Sequence, residues 1–228
     1  MATMTRIEQA SPSQRENLSP ILRRAGRLTT CATGARICSQ GDTCAGLHYV
    51  HDGLVKLTTV SKRGRSAILA FLWQGDFFGE SCLAGRERRQ FSAEALTRTS
   101  VIFVKTRAMK RLIEEEPAVA AYFVKHLLER NRRIEDDLLG RIFESSEQRL
   151  ARTLLWLWQH RQQGNIPSVL EKIDQDTLAA IVGTTRPRVN FFMNKFRKMG
   201  WIQYAEGPGL VVNPSLQTFL LNDLPEVI

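Results

Sequence analysis

Between residues 28 and 108 the apolar positions fall in short runs: ARIC (35–38), LHYV (47–50), LVKLTTV (54–60), AILAFL (67–72) and SVIFV (100–104). Turn signals separate them: TG at 33–34, QGD at 40–42, HDG at 51–53, SKRG at 61–64 and QGD at 74–76. Short β-rich runs at this spacing, punctuated by Gly and Asp, predict an antiparallel sandwich or barrel. The Asp-Gly between LHYV and LVKLTTV is the strongest hairpin signal in the chain. The first 20 residues are polar, with two prolines, and read as a loose arm.

From Pro117 the period changes. PAVAAYFVKHLLERNRRIEDDLLGRIF has no proline after its first residue and a single glycine, Gly140, so one long helix is expected. Val124, Leu127, Ile134 and Leu138 follow 3/4 spacing, with Asn131 interrupting the seam, and RNRR and EDD flank the stripe. A narrow apolar stripe of this kind suits a helix that pairs with a second copy of itself, a single polar residue setting the register. The plainer alternative is a helix packed on its own barrel.

SSEQRLARTLLWLWQH (145–160) predicts a second helix, capped by Ser145 or Ser146, with Leu150, Leu154, Leu157 and Trp158 on one face and a break at Gln163–Pro167. DQDTLAAIVG (174–183) then reads as a short amphipathic helix ending at Gly183, and TTRPRVNFFMNKFRKMG as another ending at Gly200. WIQYAEGPGLVVN closes as two short strands around Gly207-Pro208-Gly209. Two short helices joined by Gly-Thr-Thr, with a hairpin behind, form a winged helix-turn-helix pattern. Thr185 is expected to cap the second helix, with Pro187 in its first turn and Val189, Phe192, Phe196 and Met199 inward.

Charge sharpens this picture. The chain of 228 residues carries a formal net charge of +9, which favours a polyanionic partner without naming it. More telling is its placement, because no Asp or Glu occurs between Asp176 and Glu206. A partner feels local potential within a Debye length of roughly 8–10 Å. Arg186, Arg188 and Asn190 lie near the start of the second helix, where side chains first enter a major groove. Arginine can pair with guanine O6/N7 and asparagine with adenine. Thr184, Thr185, Lys195, Arg197 and Lys198 suit backbone phosphates.

From about residue 20 to 223 the chain resembles the cyclic-AMP receptor protein/Fnr superfamily of bacterial transcription regulators. The resemblance rests on HDGLVKL, QGDFFGESCLAG, the long helix, RLARTLL and VGTTRPRVNFFMNKFRKMGWI. It implies a homodimer joined through long helices, a two-fold symmetric operator in double-stranded DNA, contact with RNA polymerase and control by a signal in the barrel. The superfamily's cyclic-nucleotide pocket runs from Gly-Glu-x-x-Leu to Arg-Ser or Arg-Thr. Gly79, Glu80 and Leu83 match its start and Ser92 its end, but Phe91 stands where the phosphate-neutralising arginine belongs.

Arg89 is the nearest substitute for that arginine, with the same strand parity as Phe91. Ile134 and Glu135 occupy the adenine-contacting positions in place of the Thr/Ser pair. The effector candidates are therefore Gly79, Glu80, Ser81, Arg89, Phe91, Ser92, Ile134 and Glu135, with a vestigial or differently liganded pocket preferred over a cyclic-nucleotide one. On the reading helix, Arg186 is followed by Pro187 instead of the frequent glutamate, and a later arginine position is Phe191.

Other chemistry is poorly supported. Cys31, Cys38, Cys44 and Cys82 match an iron–sulfur cluster in number but lack the tight C-x₂-C spacing, so no cluster or other metal is expected. A thiol redox role remains an alternative. His48 and His51 point to opposite faces of a strand, and His126 and His160 stand alone. No nucleophile–base pair or phosphate-cradling loop occurs, so no enzyme is expected. The absence of an apolar leader or membrane span predicts a cytoplasmic protein.

The expected architecture is α+β. It comprises an arm (1–20), a cyclic-nucleotide-binding-like β-barrel or jelly roll (21–116), a dimerisation helix (117–141) and a winged helix-turn-helix (145–228). The dimer seam is assigned to Val124, Leu127, Asn131, Ile134 and Leu138. The expected function is a dimeric, sequence-specific DNA-binding regulator, either effector-controlled or ligand-independent. The alternatives are a cyclic-nucleotide-responsive regulator and, in a different class, a ligand-binding module whose helix-turn-helix makes protein contacts.

Overall fold

The computed structural model describes residues 12–64, 66–162, 175–204 and 210–222. They fall into two compact units, residues 6–133 and 134–228. The first unit opens with helix α1 (Pro12–Ala25), followed by strands β1 (Arg27–Cys31), β2 (Arg36–Cys38), β3 (Gly46–Asp52), β4 (Val55–Val60), β5 (Ser66–Leu72) and β6 (Phe77–Phe78). A 3₁₀ turn at Glu80–Ala84, strands β7 (Ser92–Ala95) and β8 (Thr99–Lys105) and helix α2 (Thr106–Glu115) complete it, and helix α3 (Pro117–Phe143) follows.

The eight described strands of this unit pair antiparallel, in two four-stranded sheets ordered β1-β8-β3-β6 and β2-β7-β4-β5. The sheets are open and face each other over a shared core of Val50, Val55, Leu57, Leu72, Phe78, Phe91, Ala93 and Val101. The other face of the first sheet is covered by helices, through Leu18 and Leu22 of α1, Met109 of α2 and Val119 and Phe123 of α3. Strand β3 is thus sandwiched between two apolar layers, which is why its first five residues are all buried, without alternation.

Two expectations fail here. The Asp52-Gly53 corner is not a hairpin, because β3 pairs with β8 and β6 while β4 pairs with β5 and β7. Gly53 (φ 90°) turns the chain from one sheet to the other. The corner is pinned by Thr99, whose hydroxyl donates to the Leu54 carbonyl, and the Leu54 N–H donates to the Thr97 and Thr99 hydroxyls. A Cβ on Gly53 would lie 2.6 Å from the Thr99 hydroxyl, so this corner requires glycine on two counts. The real hairpin is β4–β5 around Ser61–Gly64. Nor is the expected arm of residues 1–20 loose throughout: α1 begins at Pro12 and buries Leu18 and Leu22.

The second unit contains the end of α3, then α4 (Ser146–Gln162), α5 (Gln175–Val182), α6 (Arg186–Lys198), β9 (Ile202–Tyr204), β10 (Leu210–Val212) and α7 (Leu216–Asn222). Ser145 and Gln148 form a capping box: the Gln148 N–H donates to Ser145 Oγ (3.2 Å) and the Ser145 N–H to Gln148 Oε1 (2.7 Å). One core joins Leu150, Leu154 and Leu155 of α4, Leu178 and Val182 of α5, Val189, Phe192, Met193 and Phe196 of α6, and Ile202, Val212 and Leu216. The Gln163–Pro167 break and the Gly207-Pro208-Gly209 turn lie outside the described residues, although β9 and β10 pair antiparallel on either side of the latter. Among the described residues no helix is long and apolar enough to cross a membrane.

Candidate DNA-reading surface and candidate effector site

The reading surface is built by a sharp turn. Helix α5 ends at Gly183 in the left-handed region (φ 70°), and the Thr184 N–H closes the turn on the Ala179 carbonyl at 2.9 Å. Thr185 then sits extended at the N-cap of α6, but its side chain makes no capping bond, so the expected hydroxyl cap is not formed. Its carbonyl accepts from Val189 instead (3.0 Å). Val189, Phe192, Met193 and Phe196 face the core, whereas Met199, expected inward, is exposed because the helix has ended at Lys198.

Outside that core-facing stripe α6 exposes Arg186, Arg188, Asn190, Phe191, Lys195, Arg197 and Lys198. Several of these have partners on the protein itself. Arg186 pairs with Asp176 (3.1 Å), both side chains being about two-thirds in water at 65% and 64%. Such a pair contributes little and yields readily to a better partner. An amide ladder follows: Gln175 and Asn194 both donate to Asn190 Oδ1 (3.3 Å each), and Arg197 donates to Asn194 Oδ1 (3.1 Å). Lys195, assigned to phosphate, is held by Glu147 of α4 at 2.7 Å. Arg188 lies over the Phe192 ring, 5.9 Å from its centroid.

One anchor of this unit escaped the sequence reading. Arg149 donates from Nε to the Val182 carbonyl (2.9 Å) and from Nη1 to the Glu144 carbonyl (2.6 Å), tying the last turn of α5 to the start of α4. Burial, and then the nearby Arg141, push its pKa below the ordinary guanidinium value. Glu144 in turn pairs with Arg152.

In the first unit the structure gathers Gly79, Glu80 and Arg89 but places Phe91 differently. Arg89 is only 5% exposed. Its Nη2 donates to the Gly46 carbonyl at 3.0 Å, while Nη1 has no hydrogen-bond partner among the described residues. It packs against Gly79 (φ 84°), where a Cβ would come within 2.4 Å of Nη1. Phe91 belongs to the core between the sheets and meets Phe78 edge-on at 6.3 Å. The place of a phosphate-binding cation is thus filled by a ring.

Ser92 Oγ accepts from the Gln40 N–H (3.0 Å), and Ser81 is half-buried in the 3₁₀ turn. His48 stacks on Phe78 at 4.7 Å, and its pKa is lowered to about 3 by burial and then by Arg89. Ile134 and Glu135 are exposed on α3 and belong to the second unit.

The partners of this cluster come from α3. Arg130 Nη1 lies 2.5 Å from Glu80 Oε1. One turn on, Arg133 Nη2 reaches Asp76 Oδ1 at 3.4 Å, with His126 Nδ1 3.6 Å from the same oxygen. Asp76 Oδ2 also accepts from the Trp73 N–H at 2.9 Å. Burial lowers the His126 pKa, with Asp76 opposing. The spacing Phe123, His126, Arg130, Arg133 was present in the sequence as a 3/4 stripe, but its polar members resembled a solvated face. The apolar stripe assigned to the dimer seam, Val124, Leu127, Ile134 and Leu138, is exposed, as is Asn131.

All four thiols are free, Cys44 and Cys82 buried, Cys31 and Cys38 partly so. Among the described residues no three His, Cys, Asp or Glu side chains group so as to hold a metal ion.

A barrel-like double sheet, a long helix and a basic helix after a helix-turn-helix corner define a DNA-binding transcription regulator with a sensor-type domain. The domain families agree: residues 28–116 match the cyclic nucleotide-binding domain and residues 148–215 the Crp-like helix-turn-helix domain. The chain belongs to the Crp–Fnr superfamily of transcription regulators. It is 32% identical over 164 residues to the transcriptional regulator SdrP of Thermus thermophilus, covering 70% of this chain and 76% of that protein. It is 27% identical over 184 residues to the CRP-like cAMP-activated global transcriptional regulator of Mycobacterium tuberculosis, covering 80% of this chain and 82% of that one. Among solved structures, the c-di-GMP responsive global regulator CLP of Xanthomonas campestris shares the fold, with a TM-score of 0.67, 19% identity and coverage of 86% of this chain and 98% of that one.

Proposed function

We propose that this chain acts as a cytoplasmic homodimer that binds a two-fold symmetric operator and contacts RNA polymerase without needing a cyclic nucleotide. Its organisation is a sensor-type domain over 21–116, a dimerising α3 with Val124, Leu127, Asn131, Ile134 and Leu138 on the seam, and a DNA reader over 145–228. Arg186, Arg188 and Asn190 are the base-reading candidates. Thr184, Thr185, Arg197 and Lys198 are backbone contacts, joined by Lys195 if DNA draws it from Glu147.

The observation that carries the ligand reading is the Phe91 ring, buried in the core between the sheets where the resemblance implies an arginine, with Glu80 facing Arg130. A cyclic nucleotide presents a sugar hydroxyl to a free carboxylate and a phosphate to a cation. Here Glu80 Oε1 already faces Arg130, while Oε2 is buried with no hydrogen-bond partner among the described residues, and a phosphate placed at Phe91 would be desolvated without compensation. Calorimetric titration with cyclic AMP and cyclic GMP is expected to give no binding heat at micromolar ligand. Selection from a random duplex pool without added effector is expected to return a symmetric site. Micromolar binding of either nucleotide, coupled to recovery of that site only in its presence, would overturn the reading.

One observation favours a second reading, in which a different anionic effector occupies the barrel: Arg89 keeps a buried Nη1 with no hydrogen-bond partner among the described residues. An effector of that kind would show itself as DNA binding that appears only with cell extract and is lost in Arg89→Met.

A further inference from the structure

At about 100° per residue, the four buried side chains of α6 centre on one direction. Pro187, Phe191, Asn194 and Lys198 lie within about 30° of the opposite direction, while Arg186 and Arg188 sit about 90–110° away on either flank. The middle of the outward face near the helix start is therefore apolar: the ring of Phe191, 66% exposed, preceded one turn earlier by the exposed ring of Pro187. Phe191 touches Phe192 edge-on at 5.7 Å, and its outer surface is left to water.

A lone exposed phenylalanine is ordinary on a protein surface. This one is bounded by Arg186, Arg188, Asn190, Lys195, Arg197 and Lys198, on a stretch that contains no acid. A second copy of the chain docked face to face would bring like charges together, whereas a duplex supplies phosphates to the rim. On the major-groove edge of the base pairs, the apolar group available to such a ring is the C5-methyl of thymine.

We infer that Phe191, supported by Pro187, is a specificity-determining residue that reads the 5-methyl group of a thymine in each half-site. This rests on the DNA-reading role of α6. Arg186 and Arg188, at the flanks, contact bases to either side, so the thymine lies between their base pairs. The arrangement replaces a charged readout at the centre of the helix with a shape-and-methyl readout, and the half-site is correspondingly less guanine-dependent at that step.

The test removes the methyl from the DNA and then the ring from the protein. The full chain is first used to select its operator. Each thymine of that duplex is then replaced in turn by deoxyuridine, which differs only by the methyl group. One thymine per half-site is expected to lose about four-fold in affinity, and about fifteen-fold when both half-sites are changed. In Phe191→Ala the thymine and deoxyuridine duplexes should bind alike, while Phe191→Leu should keep part of the difference.

Phe191 lies outside the α6 core, and matched unfolding curves for the variants check that folding is intact. If wild type does not distinguish deoxyuridine from thymine at any position of a site it selects, the inference is overturned and DNA reading stands. If the discrimination survives unchanged in Phe191→Ala, another residue reads the methyl and the inference is equally overturned. If no duplex is selected at all, the DNA-reading role itself fails, and this inference with it.

Discussion

The two units handle charge in opposite ways. Around α6, cations stand in water and hold loose partners: Arg186 and Asp176 are both about two-thirds exposed, and an amide ladder links Asn190 to Arg197. Around the 3₁₀ turn, charges are withdrawn: Glu80 and Arg130 are 22% and 23% exposed, and Asp76 is buried against Arg133 and His126. Exposed pairs cost little to exchange, so the reader can hand its cations to a partner. Pairs shielded from water are costly to break singly, so the sensor-side cluster fastens the middle of α3, at His126, Arg130 and Arg133, to the sensor-side unit. The same ionic chemistry serves availability in one place and closure in the other.

Removing one acid from each side should separate the two most clearly. Asp76→Ala is expected to lower unfolding stability by about 3 kcal/mol, since it removes the buried carboxylate that Arg133, His126 and the Trp73 N–H all meet. Asp176→Ala is expected to change it by less than about 0.5 kcal/mol. Urea unfolding of both variants measures this, and equal losses would erase the contrast.

A smaller effect should come from pH. His48 has a folded-state pKa near 3, far below the ordinary value of 6.5. The folded chain therefore stays neutral there while the unfolded chain takes up a proton below 6.5. The stability linked to His48 is full above that pH and drains away as pH falls toward 3. Between pH 7 and pH 5 the loss is about 2 kcal/mol. Replacing His48 with Gln should flatten that part of the pH–stability curve, as read by denaturant midpoints.

The smallest effect belongs to the reader. Lys198→Ala is expected to reduce the salt slope of DNA binding by nearly one per protomer. Lys195→Ala should reduce it less, because Glu147 already holds that ammonium. Fluorescence anisotropy across a salt series distinguishes the two. An equal drop would mean that Lys195 leaves Glu147 when DNA arrives.

What could be read in advance follows contact range. The short runs around 47–60 and 67–72 announced strands, and Gly183, Pro187 and the 3/4 spacing of Val189, Phe192 and Phe196 announced α6, because each signal is local. Asp52-Gly53 misled because a hairpin and a corner between sheets use the same glycine geometry, and what decides is Thr99, distant in sequence. Residues 12–20 read as part of an arm because their few apolar side chains gain meaning only once β8 lies beneath the helix they begin. Arg130 and Arg133 read as solvated charges, since their carboxylates are some fifty residues away in sequence. Phe191 was visible as a departure, but its place at the centre of the outward face needed the burial pattern of the helix.

Gly79 and Arg89 share one volume, the missing side chain of the first being occupied by the guanidinium of the second. An alanine at 79 would have to adopt the left-handed backbone and displace the Nη1 end of Arg89, so shortening Arg89 removes the second cost and leaves the first. The two positions are therefore coupled, and the effect of changing both should differ from the sum of the single changes.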